Sequence, residues 1–293
     1  MTYTRDHLFV KSQDNGKSGI FAEVTAARAG WDYLNMQVRR LNQGESYKAH
    51  TGDNEWAHVI LGGVCDIHID GGEFISVGRR PNVFSGMPYA LYLPAGINFE
   101  ISARGDGFEV ASCWVVTDRA GSARLVTPSM SKIELRGGGN ASRQINTIIP
   151  AGFDSHRIVA VEAYTPSGNW SSYPPHKHDV HREDAAGTVL EADLEEIYFY
   201  KIAPADGFAY QRVYNDARTL DEVLVAGNHD TVLVPEGYHP VVSGHGYTTY
   251  YLNFLAGSAQ TLANTDDPAL AWVKKTWAGI DSRLPIVTHE MEL

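Results

Sequence analysis

The sequence predicts an all-β protein built from two barrel-like units. Three observations predict it. Short segments rich in β-branched and aromatic residues recur along the chain, and Gly, Asp, Asn and Pro punctuate them at short intervals. The phrase strand, Pro-x-Gly, strand occurs in each half, at Pro94-Ala95-Gly96 and Pro235-Glu236-Gly237, which suggests two copies of one fold.

The strands read in order as "HVILGG", "CDIHID", "YALYLP", "FEISA" and "FEVASCWVV", then "HRIVAVEAYT", "EIYFYKI", "YQRVY", "TVLVP" and "TTYYLNFLAG". Between the two groups, "PSMSKIELRGGGNASRQINTIIP" breaks the rhythm with a glycine triplet at 137–139 and reads as a connector. The domains expected are therefore 1–135 and 136–293. Helical periodicity is convincing only in "DPALAWVKKTWAG", where Leu270, Val273 and Trp277 share a face; this predicts a short C-terminal helix. Trp272 and Trp277 are expected to pack within the chain.

A length of 293 residues with 43% apolar content suffices for one large core or two ordinary ones. The net charge of −11 argues against nucleic acid or an anionic membrane as partner, since both demand clustered Lys and Arg. The N-terminus lacks an apolar signal-peptide core and no run approaches a membrane span, so the expected location is the cytoplasm. Cys65 and Cys113 sit inside apolar strand patterns and read as buried thiols.

The chemistry concentrates in "WSSYPPHKHDVHRED". In an extended segment alternate residues share a face, so His176 and His178 can aim at one point while Lys177 points away; Pro174 and Pro175 stiffen the approach. A borderline divalent metal takes two or three imidazoles plus a carboxylate. Glu196, on the polar face of "EEIYFYKI" with Tyr198 and Tyr200, is preferred to Glu195 as that carboxylate. His239, after the Pro-x-Gly turn of "VPEGYHPVVSG", is the fourth ligand chosen, with His245 as its competitor.

The order "PPHKHD", "EEIYFY", "VPEGYHPV" resembles the cupin superfamily, and the longer series including "GFAYQRVY" and "GRRPNVFSGMPYALYLPAG" resembles the 5-deoxy-glucuronate isomerase family of bacterial inositol catabolism. The resemblance implies a bicupin, two double-stranded β-helix barrels, with ligands at His176, His178, Glu196 and His239. Two features depart from the pattern: the interval between His178 and Glu196 is seventeen residues, and His245 stands where an apolar residue or proline is expected. The N-terminal half offers only scattered His50, Glu55 and His58 and reads as a metal-free copy.

The resemblance further implies conversion of 5-deoxy-D-glucuronate to 5-dehydro-2-deoxy-D-gluconate through an enediolate, with one divalent ion, Zn, Mn, Fe or Ni, stabilising the charge. The general acid and base stay open among Tyr198, Tyr200, Lys177, His181 and His245. Arg212, with Tyr210 and Tyr214 on its strand, is the expected clamp for the substrate carboxylate, and His245 is the second expected substrate contact. The partner expected is a small sugar acid, and association of copies of the chain stays open. Competing readings are an Fe(II) dioxygenase and a non-enzymatic sugar-acid-binding cupin.

Overall fold

Strand alternation explains how the chain encloses its interiors. Along Val189–Ala203, Ile197 and Phe199 pack into a core shared with Met36, Val38, Val59 and Ala111. On the opposite face Tyr198 and Tyr200 pack with Val213, Leu224 and Tyr251. Successive side chains on a strand point to opposite faces, so one core lies between two large sheets and the other fills a barrel.

The computed structural model describes residues 3–291. An eight-stranded sheet runs in the order Phe9–Val10, Thr231–Val234, Val189–Ala203, Thr248–Gly257, Val159–Thr165, Arg143–Ile149, Lys132–Arg136, with Asp179–Glu183 also paired to Val189–Ala203. The six-stranded sheet packed on it runs Arg124–Val126, Ala90–Leu93, Asn54–Gly62, Phe108–Val116, Asn35–Leu41, Gly19–Val24. A four-stranded sheet closes each barrel. It is formed by Trp170–Ser171, Val241–Ser243, Phe208–Tyr214 and Asp221–Gly227 in the C-terminal barrel, and by Ser46–His50, Asn98–Ala103, Cys65–Ile69 and Gly72–Val77 in the N-terminal one. The expected all-β, two-barrel architecture is what the chain adopts.

Chain order and sheet membership differ at two places. Phe9–Val10 pairs with Thr231–Val234, so an N-terminal segment completes the C-terminal sheet. Lys132–Arg136 pairs with Arg143–Ile149, so the expected break at residue 135 falls inside a strand of the C-terminal sheet.

Polar side chains also cross the interface between the sheets. Arg80 donates from both terminal nitrogens to Glu162, at 3.1 and 3.0 Å, and Tyr164 and Tyr250 donate to the same carboxylate at 3.0 and 3.1 Å. Removing one partner of a buried pair of this kind costs about 3–5 kcal/mol, because the other charge is left without compensation.

The expected C-terminal helix is a 3₁₀ helix, Ala271–Thr276. Its hydrogen bonds span three residues, as from Val273 N to Leu270 O at 3.1 Å, and this tighter winding buries Val273 while Trp277 is half-buried. Trp272, expected to pack within the chain, is exposed. Cys65 and Cys113 are free and buried, as read from sequence. Among the described residues, no helix is long and apolar enough to cross a membrane.

Candidate metal centre

A short strand and a turn carry the histidines, and one aspartate joins them. The pair His176–Lys177 is fixed by antiparallel pairing of His176 with Asp266, and Asp267 N donates to Pro175 O at 2.7 Å. Lys177 Nζ then bridges Asp179 (2.8 Å) and Asp216 (2.9 Å), away from the cavity. Asp179 Oδ2 accepts from Gly237 N at 3.0 Å, which ties the HxH segment to the turn that presents His239. Gly237 is required there: its φ is +85°, and a Cβ would lie 2.4 Å from the Tyr214 carbonyl oxygen.

Each ring is oriented by its Nδ1 against a backbone carbonyl: His176 on Pro174 (3.3 Å), His178 on Leu194 (3.0 Å) and His239 on Gly237 (2.9 Å). A carbonyl can only accept, so Nδ1 carries the proton in each ring, and at His176 and His239 Nε2 is left to present its lone pair, the arrangement that prepares imidazole for a metal. His178 Nε2 lies 3.0 Å from Glu196 Oε2. His239 Nε2 stands 3.3 Å from the same oxygen, is fully buried and has no hydrogen-bond partner.

Ligand atoms of His178, Glu196 and His239 all fall within 4.8 Å of one another. His176 lies outside that tight group, but its ring packs edge-on against His239 at 4.8 Å between centroids and lines the same cavity. Burial pushes the imidazoles of His176 and His239 down to about 3, so both are neutral. Burial opposes charge on His178 as well, yet the hydrogen bond and charge of Glu196 outweigh it and raise its pKa. Neutral rings at His176 and His239, an orphaned buried nitrogen on His239, and the His178–Glu196 pair beside it fit a divalent cation, held by His178, Glu196 and His239 with His176 adjacent.

The centre opens into a partly enclosed cavity in the C-terminal barrel. Tyr198 lines it, with its hydroxyl 2.9 Å from Ser172 Oγ, as do Tyr251, Asn253 and Arg143. Tyr200 does not; its hydroxyl donates to Gln211 at 2.7 Å in the packed barrel interior.

Arg212 is also elsewhere. Alternation in Phe208–Tyr214 turns Ala209, Gln211 and Val213 inward and leaves Tyr210 exposed, and Arg212 forms a two-pronged pair with Asp221 at 2.7 Å on that outer face. His245 is exposed in the turn before Tyr247, and His181 pairs with Ser258 and Glu183 at the surface, so neither reaches the cavity. In the N-terminal barrel His50 is exposed, Glu55 binds backbone N–H groups, and His58 is stacked on Trp56 and meets Phe99 at a tilt. No metal-type cluster forms there among the described residues.

Sequence reading missed Arg143, Ser172 and Asn253. Asn253 carried a usable signal, as the one polar residue in the apolar run "YYLNFLAG".

Fold and site together define a two-barrel cupin whose C-terminal barrel carries a histidine–carboxylate centre. Residues 8–273 match the KduI/IolB family, and the chain belongs to that family. It is 40% identical over 270 residues to the 5-deoxy-glucuronate isomerase of Geobacillus thermodenitrificans, covering 92% of this chain and 96% of the relative. It is 37% identical over 253 residues to the protein of that name from Bacillus subtilis strain 168, covering 86% and 91%. An IolB-like protein from Salmonella typhimurium LT2 superposes with a TM-score of 0.86 at 33% identity, over 91% of this chain and 98% of that one. A Bacillus subtilis oxalate decarboxylase mutant, at 15% identity with a TM-score of 0.61 over 90% and 80%, shares the fold.

Proposed function

We propose that the protein is an aldose–ketose isomerase that converts 5-deoxy-D-glucuronate to 5-dehydro-2-deoxy-D-gluconate in inositol catabolism. The observation that carries this reading is the convergence of His178, Glu196 and His239, two of which line a cavity together with Tyr198. Its support from relatives is the name borne by proteins that match nearly end to end.

The reaction moves a carbonyl from C1 to C2, so a proton must leave C2 while the oxygens gain negative charge. His178, Glu196 and His239, with His176 beside them, would hold a divalent ion, which would supply Lewis-acid stabilisation of that charge. Tyr198 serves as a hydrogen-bond donor to the substrate oxygen that gains charge, keeping its own proton. Burial, reinforced by the Glu196 charge, raises its phenol well above the ordinary value, so it remains protonated at all working pH values. Its bond to Ser172 fixes the hydroxyl within the cavity. A positioned donor of this kind contributes roughly 10²-fold or more. Lys177, Tyr200 and His245 have no part in this scheme, since none lines the cavity.

Stripping metal with a chelator and restoring Zn, Mn, Fe or Ni in turn tests the proposal. Metal content by mass spectrometry and turnover should fall together and return together for at least one ion. Turnover that persists in metal-free protein overturns the metal part of the reading.

A further inference from the structure

We propose that Arg143, in the wall of the barrel cavity, is the side chain that receives the carboxylate of the sugar-acid substrate. The identity of the substrate rests on the isomerase reading above; the geometry stands by itself.

Arg143 is 7% exposed and lines the same cavity as His176, His178 and Glu196. Its guanidinium makes one hydrogen bond, from NH1 to the Ala141 carbonyl at 3.2 Å, and its Nε is buried with no partner. It forms no ion pair among the described residues. Burial lowers its pKa, although Tyr251, Glu134 and Tyr198 favour the charge and Arg136 adds to the lowering. The neighbouring arginine provides the contrast: Arg136 is the register partner of Arg143 and lines the same cavity, but both oxygens of Glu134 hold its guanidinium, at 2.6 and 2.8 Å.

A buried guanidinium without a counter-charge is costly, and its planar fork matches a carboxylate in two parallel hydrogen bonds. The glycine triplet makes room for it. Gly137 has a φ of +89°, and a Cβ there would sit 3.0 Å from Arg143 NH1 and 2.0 Å from the Ala141 oxygen that accepts from it.

Position along the sheet also suits a substrate with charge at one end and an aldehyde at the other. Glu196 and Arg143 lie on strands three steps apart in the order Val189–Ala203, Thr248–Gly257, Val159–Thr165, Arg143–Ile149. The backbones stand roughly 14 Å apart across the strands and are also offset along them, since Glu196 registers with Leu255 and Val159 while Arg143 lies beyond the Gln144–Tyr164 pair; the long Arg143 side chain spans part of that distance into the shared cavity. A six-carbon acid would then place C1 and C2 at the histidines and its carboxylate at Arg143.

The test compares 5-deoxy-D-glucuronate with its neutral counterpart, 5-deoxy-D-glucose, in wild type, Arg143→Gln and Arg143→Lys. Affinity is read by calorimetry and kcat/KM by NMR, with metal content and circular dichroism measured on every sample. Wild type should favour the acid, and in Arg143→Gln that preference should fall by roughly 30-fold or more, with Arg143→Lys intermediate and metal content unchanged. An unchanged preference, or equal losses for acid and neutral sugar, overturns the assignment. If Arg143→Gln does not fold, the Arg143 Nε–H resonance of the wild type decides: it must shift on titration with the acid and stay still with the neutral sugar. If wild type binds the acid through Arg143 yet never turns it over, the isomerase reading fails and this one survives.

Discussion

Glu195 and Glu55 make the same contact in opposite directions across the interface between the barrels. Glu195 accepts from the backbone N–H groups of Asp32, Tyr33 and Leu34, at 2.5 to 3.1 Å, just before the strand Asn35–Leu41. Glu55 accepts from His156, Arg157 and Ile158, at 2.6 to 3.0 Å, just before Val159–Thr165. Glu195 is therefore the outward member of the Glu195–Glu196 pair, spent on joining the barrels while its neighbour faces the cavity.

Replacing either glutamate with Gln turns an amide N–H₂ toward backbone donors that need an acceptor. Glu195→Gln and Glu55→Gln should each lose roughly 2–4 kcal/mol of stability, read as a lower urea midpoint. A midpoint within error of wild type would show that the contacts contribute nothing.

The local patterns were legible, and the long-range ones were not. His176 and His178, the Pro-x-Gly turn before His239 and the choice of Glu196 all follow from spacing and from the two-residue strand period, which act within a few residues. Alternation placed Arg212 correctly on the face of Tyr210, but a strand carries no label saying which face looks inward, and this one looks out. Arg143 hid beside three glycines that read as a connector, because its role comes from Arg136, Ala141 and the cavity wall around it. The pairing of Phe9–Val10 with Thr231–Val234 spans most of the chain and left no local trace.

Arg212→Leu should leave kcat/KM within about twofold of wild type and cost under about 1 kcal/mol, since its exposed pair with Asp221 is screened by water. Steady-state kinetics and a melting curve check this. A tenfold loss of kcat/KM would bring Arg212 back to the substrate.

Burial holds the His58 imidazole at about 3 against an ordinary value of 6.5. Below pH 6.5 the unfolded chain gains a proton here that the folded protein refuses until about pH 3. Stability should fall as pH drops through that window, by at most about 1.4 kcal/mol per pH unit from this residue. His58→Leu should flatten the slope of unfolding free energy between about pH 6 and 4, and an unaltered slope would contradict the burial of a neutral ring.

Tyr198→Phe removes the hydroxyl that contacts Ser172 and keeps the ring packed against Tyr251. It should cut kcat by roughly 10²-fold or more with metal content unchanged. A kcat near wild type would leave Tyr198 as a packing residue alone.

The most direct test follows 5-deoxy-D-glucuronate by proton NMR in D₂O with metal-replete protein, alongside Glu196→Gln. The expected result with wild type is loss of the C1 aldehyde-hydrate and anomeric signals and growth of a ketose hydroxymethyl, with neither change in Glu196→Gln. An unchanged spectrum with wild-type protein, or equal conversion by Glu196→Gln, would contradict an isomerase centred on His178, Glu196 and His239.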